Sequence, residues 1–74
     1  MERQKVNSSD IAAIGYDPAT QTLEIEFHAT GCYRYFSVPP PVHQAFLATP
    51  THGKFFHQNI KGKYAWEKTG PPTG

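Results

Sequence analysis

The six-residue segment TLEIEF alternates apolar and polar side chains without interruption. Successive side chains of a strand point to opposite faces, so Leu23, Ile25 and Phe27 share one face. Glu24 and Glu26 share the other face. This pattern is typical of an antiparallel strand that is buried on one side only. We therefore expect a sheet with one apolar face that other elements must cover, and we expect both glutamates on the solvent side.

Two further segments flank this strand. The run IAAIGYD precedes it and ends at an Asp-Pro step that favours a turn, and CYRYFSV follows it after the short loop HATG. Such short separations favour hairpins between neighbouring strands. We predict strands over residues 11–16, 22–27 and 32–38, arranged as an antiparallel meander.

The proline triplet PPP ends the sheet region, because it removes three successive backbone donors. Proline suits the first turn of a helix, so we predict a helix over residues 40–49. Thr51 is a candidate N-cap for a second helix over residues 52–62. Residues 63–68 are a candidate fourth strand.

The predicted fold class is α+β, with a small antiparallel meander sheet of three to four strands and two short helices packed on one face. The 74 residues suit one domain, which we assign to residues 8–68. Residues 1–7 are polar and aperiodic, so we expect a flexible N-terminal tail. Residues 69–74 are rich in proline and glycine, so we expect a disordered C-terminal tail.

The composition favours a cytoplasmic protein. No apolar run approaches the roughly 18 residues that a membrane span needs, and the opening MERQKVNSSD lacks the apolar segment of a secretion signal. Cys32 is the single cysteine, so no disulfide can form within the chain. We expect no membrane association.

Charge is unevenly distributed along the chain. The first 50 residues carry three basic and five acidic side chains, whereas the remainder carries four lysines and one glutamate. The C-terminal part is therefore basic, although the whole chain has a net charge of only +1. This pattern suits a phosphate-binding surface or simply a solvated lysine surface.

The chain offers no recognisable metal motif. Structural zinc usually takes four ligands from closely spaced Cys and His pairs, and His28, Cys32, His43, His52 and His57 form no such pairs. We therefore expect no metal and no cofactor.

Catalysis is not expected either. Cys32 lacks the helix N-terminus or cationic neighbours that activate a thiol, and the pair Glu24 and Glu26 is assigned to the solvent face. No glycine-rich phosphate loop is present.

Tyr33 and Tyr35 share one face of the third predicted strand, and Arg34 lies on the other. Burial of Arg34 without a partner would be costly, so the tyrosines should face the helices and Arg34 should lie beside Glu24 and Glu26. The tyrosine rings are then core or boundary residues, and a ligand-binding surface is the alternative.

The segments SSDIAAIGYD, TLEIEF, YRYFSVP and GKFFHQNIKGKY resemble, in order and spacing, the KTSC domain, a module named for the C-terminus of lysyl-tRNA synthetase. The resemblance covers residues 6–66. The family has no established activity that the resemblance could imply for this chain, and RNA binding is the function usually suggested for it. Copies commonly have asparagine at the position of His57 and arginine at that of Lys61. Lysine keeps the charge but lacks the planar fork that holds a phosphate bidentately.

We predict a small non-catalytic module that binds RNA or another nucleic acid through its basic and aromatic C-terminal face. Lysines and the amides at the start of the second helix would meet phosphates, and exposed rings would stack on bases. The predicted nucleic-acid-binding residues are Lys54, Lys61, Lys63, Tyr64, Trp66 and Arg34. The alternative is a protein-interaction module or small regulator that docks a partner protein through the aromatic C-terminal segment or a sheet edge.

Overall fold

A five-stranded antiparallel sheet with two helices against one face forms the fold, as seen in a computed structural model that describes residues 3–71. Along the chain the elements are β1 (Arg3–Lys5), β2 (Ile11–Asp17), β3 (Thr22–Phe27), β4 (Gly31–Tyr35), α1 (Pro40–Ala48), α2 (His52–Asn59) and β5 (Trp66–Gly70).

The sheet is a meander in which each strand pairs with the next in sequence, in the order β1-β2-β3-β4-β5. Every pairing is antiparallel. The predicted α+β class, with an antiparallel meander and two helices, is confirmed. The prediction of three to four strands was too low, since both ends of the chain add an edge strand.

The first edge strand, β1, lies within the predicted N-terminal tail. Arg3 pairs with Gly15 and Lys5 with Ala13, so residues 3–5 are ordered against β2 rather than loose. The segment RQK has no apolar alternation and therefore carries no sequence signal for a strand. The backbone ladder to β2 and the ion pairs of the Arg3 side chain hold it in place.

The second edge strand, β5, overlaps the predicted C-terminal tail. It pairs with β4, and the Thr69 hydroxyl donates to the carbonyl oxygen of Cys32 at 3.2 Å. Disorder was therefore the wrong expectation for residues 69–70, because their backbone is held by β4. Residues 72–74 lie outside the described part of the chain.

The core lies between the helices and the sheet face that carries Leu23 and Ile25, both fully buried. Phe46 of α1 and Phe56 of α2 pack onto this face. The buried core cluster consists of Ile11, Ile14, Leu23, Ile25, Tyr35, Val38, Phe46, Phe56 and Ile60.

β4 ends at Tyr35, three residues earlier than predicted. Ser37 adopts a positive φ of 59°, which breaks the extended backbone. The chain then turns so that the Val38 amide donates to the carbonyl oxygen of Gln21 at 2.9 Å, and the Val38 side chain is buried. This turn delivers the proline triplet to the start of α1.

α2 is shorter than the predicted range 52–62. The amides of Ile60 and Lys61 both donate to the carbonyl oxygen of Phe56, at 2.9 and 2.8 Å, so the helical ladder closes there. Thr51 occupies the N-cap position, but its side chain makes no capping hydrogen bond. Within residues 3–71, neither helix is long and apolar enough to cross a membrane.

Candidate functional site

An open groove of about 480 Å³ lies between α2 and the part of the sheet formed by β3, β4 and β5. We call it the aromatic groove. Its apolar wall consists of the rings of Phe27, Tyr33, Tyr35, Phe56 and Trp66. This volume falls within the roughly 300–1,000 Å³ of typical small-molecule sites.

The rings of the aromatic groove pack edge to face. Phe56 meets Phe27 with centroids 5.1 Å apart at 72°, and it meets Tyr35 at 5.5 Å and 75°. Phe27 and Tyr33 are 5.5 Å apart at 85°. Such contacts fix the wall in one arrangement, because each ring edge faces the negative face of its neighbour.

Trp66 stands at the mouth of the groove on the edge strand β5. Its ring centroid is 5.5 Å from that of Tyr33, yet the residue remains 56% exposed. Tyr35 beneath it is only 5% exposed, and burial together with the nearby Tyr33 raises the pKa of Tyr35 to about 12. Tyr35 is therefore a neutral floor, and Trp66 is the ring available for stacking on a ligand.

The prediction that Tyr33 and Tyr35 face the helices agrees with the register. Tyr35 lies opposite Leu23, and Tyr33 lies opposite Ile25, on the core face of the sheet. Tyr35 belongs to the core, whereas Tyr33 is half-buried. Core packing and a ligand-binding surface, the two alternatives for these tyrosines, are not exclusive here, because the same rings that cover the core form the groove wall.

The rim of the groove is polar, and its ends differ. Asp10 and Gly53 lie where α2 begins, whereas Lys61 lies beyond the end of α2. His28 and His57 complete the rim. The groove therefore has a carboxylate near one end, a cation near the other, and rings between them.

The start of α2 was predicted to offer its amides to phosphate, and the placement of Asp10 argues against this. A carboxylate oxygen of Asp10 lies 3.0 Å from the position that a Cβ would take on Gly53, in the first turn of the helix. A negative charge there suits the helix dipole but repels a phosphate. An anion is better placed near Lys61.

Arg34 lies on the opposite face of the sheet from the aromatic groove. Its Nε donates to a carboxylate oxygen of Glu24 at 3.2 Å, as the sheet geometry predicted. Arg34 is thus separated from the other predicted binding residues by the thickness of the sheet.

Glu24 is not on a solvent face, contrary to the prediction, since it is only 4% exposed. The unexpected strand β1 explains this burial. Arg3 reaches across Gly15 in the register and pairs with the Glu24 carboxylate, while Arg34 pairs with it from β4. Arg3 also contacts Glu26, with 3.5 Å between Nη1 and Oε1. The outer face of the sheet near β3 therefore carries a row of ion-paired side chains.

The remaining predicted residues lie around α2 and β5. Lys61 and Trp66 line the groove itself. Lys54 and Lys63 are exposed on and just after the helix, and Tyr64 is half-buried against the core. The structure thus brings Lys61 and Trp66 together and gives Tyr64 a packing contact.

Lys68 and Asp10 are groups that the sequence interpretation missed. The Lys68 ammonium lies 6.0 Å from the centroid of the Tyr33 ring. Its position two residues after Trp66 in a strand could have placed it on the same face. Asp10 precedes β2 and carried no sequence signal, because it meets α2 only in the folded chain.

Tyr16 and His43 form a second polar contact, away from the groove. Their rings stack with centroids 4.4 Å apart at 12°, and the Tyr16 hydroxyl donates to the carbonyl oxygen of Val38. Burial raises the pKa of Tyr16 and lowers the pKa of His43. Burial therefore favours the neutral imidazole of His43.

Cys32 is buried on the outer face, opposite Glu26 in the register, and is not part of the groove. Among residues 3–71, no three His, Cys, Asp or Glu side chains are grouped so that they could hold a metal ion.

Comparison with known proteins gives consistent results for sequence and structure. The family model of the KTSC domain matches residues 7–64. A KTSC domain protein from Yersinia pestis, known from its crystal structure, superposes with a TM-score of 0.92 at 46% identity, covering 93% of this chain and 97% of that one.

Similar sequences occur both as small proteins and as parts of larger ones, as two relatives show. A protein of Stutzerimonas stutzeri is 42% identical over 64 residues, which are 86% of this chain and 90% of that protein. A lysine–tRNA ligase of Nostoc is 41% identical over 64 residues, which are 86% of this chain but 11% of the ligase. The family match and the close structural likeness show that this chain belongs to the KTSC domain family.

Proposed function

We propose that this protein is a non-catalytic module that binds single-stranded RNA. One observation carries the proposal: Trp66, the single tryptophan, stands more than half exposed at the mouth of a groove walled by rings, with Lys61 on the same rim. Small sheets bind single-stranded nucleic acids by stacking bases on exposed rings while basic side chains follow the backbone.

The lysines around the groove supply the backbone contacts in this proposal. Lys54, Lys61 and Lys63 are exposed, and the C-terminal part of the chain has an excess of positive charge. Arg34 is left out of the binding surface, since it lies on the other face of the sheet with Glu24. The similarity to part of a lysine–tRNA ligase supports RNA as the nucleic acid.

The absence of catalysis is part of the proposal. Cys32, the one side chain suited to nucleophilic attack through sulfur, is buried on the face away from the groove. Glu24 is buried, and each of its carboxylate oxygens is paired with an arginine, so the proposal gives it a structural role and not a catalytic one. The proposal also places the protein in the cytoplasm, which cell fractionation can check.

The test is a titration of fluorescently labelled single-stranded RNA at several salt concentrations. For single strands, each phosphate contact contributes about −0.7 to the slope of log affinity against log salt, so three contacts predict a roughly 20-fold loss between 50 and 200 mM. The variant with Lys54, Lys61 and Lys63 all changed to alanine should lose most of this dependence.

Lys5→Ala is the matched control for Lys61→Ala. Lys5 is exposed on β1, at the opposite edge of the sheet from β5. Removal of its charge should leave RNA affinity nearly unchanged, whereas Lys61→Ala should lower it several-fold. The absence of binding at micromolar protein, or equal binding by wild type and the triple variant, refutes the proposal.

A protein partner is the second candidate, and the position of Trp66 on an edge strand favours it. An unpaired strand edge can add a strand from another chain, and an exposed tryptophan can anchor it. Binding centred on the ring should change little with salt. Salt-insensitive binding of a peptide with no RNA binding would support this candidate instead.

A further inference from the structure

The two ends of the aromatic groove have complementary chemistry. Asp10 lies beside Gly53, the second residue of α2, and Lys61 follows the end of the helix. Eight residues of α-helix span about 12 Å. This distance is comparable with the length of one nucleotide from the pairing edge of its base to its phosphate.

The Asp10 carboxylate accepts no hydrogen bond from any of the residues 3–71, although its backbone is fixed. The Asp10 amide donates to the Ser8 hydroxyl at 3.3 Å, and the Asp10 carbonyl accepts from the His28 amide at 3.0 Å. The first bond is local, and the second ties the residue to the loop after β3. The carboxylate thus lies on the groove rim on an anchored backbone, and an ionised carboxylate can only accept.

The bases differ in what they offer to a carboxylate. Guanine presents two adjacent N–H donors, N1–H and the 2-amino group, which match the two oxygens of a carboxylate. Adenine and cytosine present one amino group beside a ring acceptor that a carboxylate repels. Uracil presents one N–H between two carbonyl groups. A carboxylate at the end of a ring-walled groove therefore favours guanine over the other three bases.

We propose that the aromatic groove binds a single guanine base of single-stranded RNA, with Asp10 reading the pairing edge. Trp66 stacks on the base, and Lys61 contacts the phosphate on the outer side. This inference rests on the proposed RNA-binding function and specifies its base preference. A good bidentate contact to a base is worth about tenfold or more in discrimination.

The experiment uses heptameric RNAs of uridine in which the central residue is guanosine, adenosine, uridine or an abasic ribose. Trp66 is the only tryptophan, so its fluorescence reports occupation of the groove directly. We expect the guanosine heptamer to bind about tenfold more tightly than the uridine and adenosine heptamers, and to quench Trp66 most strongly.

Asp10→Asn tests the carboxylate that is proposed to contact the base, and it keeps the size of the side chain. The amide replaces one acceptor by a donor, so the preference for guanosine should disappear, while salt-dependent binding to all heptamers stays. Asp17→Asn is the matched control, because Asp17 is the last residue of β2 and lies outside the groove, and its Oδ1 accepts from the Ala19 amide at 3.0 Å. It makes the same charge change outside the groove and should keep the preference.

The outcomes separate the two proposals. Salt-dependent binding with equal affinity for all four heptamers overturns the guanine site and leaves RNA binding in place. An undiminished preference for guanosine in Asp10→Asn, with a folded variant by circular dichroism, also overturns it. A lack of binding to every heptamer overturns both proposals.

Discussion

Gly31→Ala should detach the edge strand that carries Trp66. Gly31 begins β4 with a φ of +106°, a conformation that residues with a side chain rarely adopt. A Cβ at this position would overlap the carbonyl oxygen of Gly70 and lie 2.9 Å from the carbonyl carbon of Pro71. Both are backbone atoms at the end of β5, so relief of the overlap requires β5 to move.

The expected loss in the free energy of unfolding has two parts. Backbone strain at such a φ costs about 1–3 kcal/mol. Displacement of β5 also threatens the pairing of Cys32 with Gly70 and the hydrogen bond from Thr69 to Cys32, each bond being worth about 1 kcal/mol. We therefore expect Gly31→Ala to lower the free energy of unfolding by about 3–5 kcal/mol in total.

Gly62→Ala introduces backbone strain without steric overlap, so it serves as the comparison for Gly31→Ala. Gly62 also has a positive φ, of 77°, but a Cβ there would meet no atom within 4 Å. Both variants change the unfolded chain alike, so Gly62→Ala should cost only the strain, about 1–2 kcal/mol. The remaining difference, about 2 kcal/mol, corresponds to a melting temperature roughly 10 °C lower for Gly31→Ala.

The assay is urea and thermal unfolding followed by far-ultraviolet circular dichroism and by Trp66 fluorescence. If β5 detaches locally, the emission of Trp66 in Gly31→Ala should shift to the red at lower urea than the circular dichroism changes. Gly70→Ala, where a Cβ meets no atom within 4 Å, should behave like wild type. Equal stability of Gly31→Ala and Gly62→Ala would show that the close approach of β5 to β4 is not what Gly31 provides.

Three further substitutions test the outer face and the histidines. Glu24→Gln should lower the free energy of unfolding by about 1–2 kcal/mol in urea unfolding, because it removes the buried charge that Arg3 and Arg34 share; a cost near zero would contradict this. Burial lowers the pKa of folded His43 below the unfolded value of about 6.5, so the unfolded chain binds more protons there and stability falls as pH falls below 6.5. His43→Phe should flatten this part of the pH profile of urea unfolding, and an unchanged profile would speak against the stacked neutral imidazole. His52→Phe should raise stability by about 1 kcal/mol in thermal unfolding, since neither ring nitrogen of His52 has a hydrogen-bond partner among residues 3–71; a less stable variant would indicate that the imidazole has one.

The interior strands could be predicted because their signal is local. The alternation in β3 assigns its faces, and the cost of a buried arginine then orients β4, so the pairing of Arg34 with Glu24 followed from sequence alone. The same logic failed for the burial of Glu24. Its face is covered partly by Arg3 of β1, a strand of three polar residues that forms only because the edge of β2 is available to it.

The candidate site was predicted in part for a similar reason. Trp66 and Lys61 lie in a short aromatic and basic stretch of the sequence, so a local pattern identified them. Asp10 joins them from the other end of the chain, and Tyr33 and Tyr35 become a groove wall only when α2 leaves their edge uncovered. These relations depend on contacts between distant residues, which periodicity and composition do not encode.

Trp66 belongs to the wall of the aromatic groove only while β5 pairs with β4. Trp66 reaches Tyr33 because it lies opposite Tyr35 in that pairing, and the pairing is secured at its other end by the close approach of Gly31 to Gly70. Edge strands near a chain end are among the first elements to open locally. A ligand that binds only the closed form stabilises it by a free energy that rises with the logarithm of the ligand concentration once that concentration exceeds the dissociation constant. A base that stacked on Trp66 would therefore also hold β5 on the sheet, so binding at the groove and pairing of the last strand are linked equilibria.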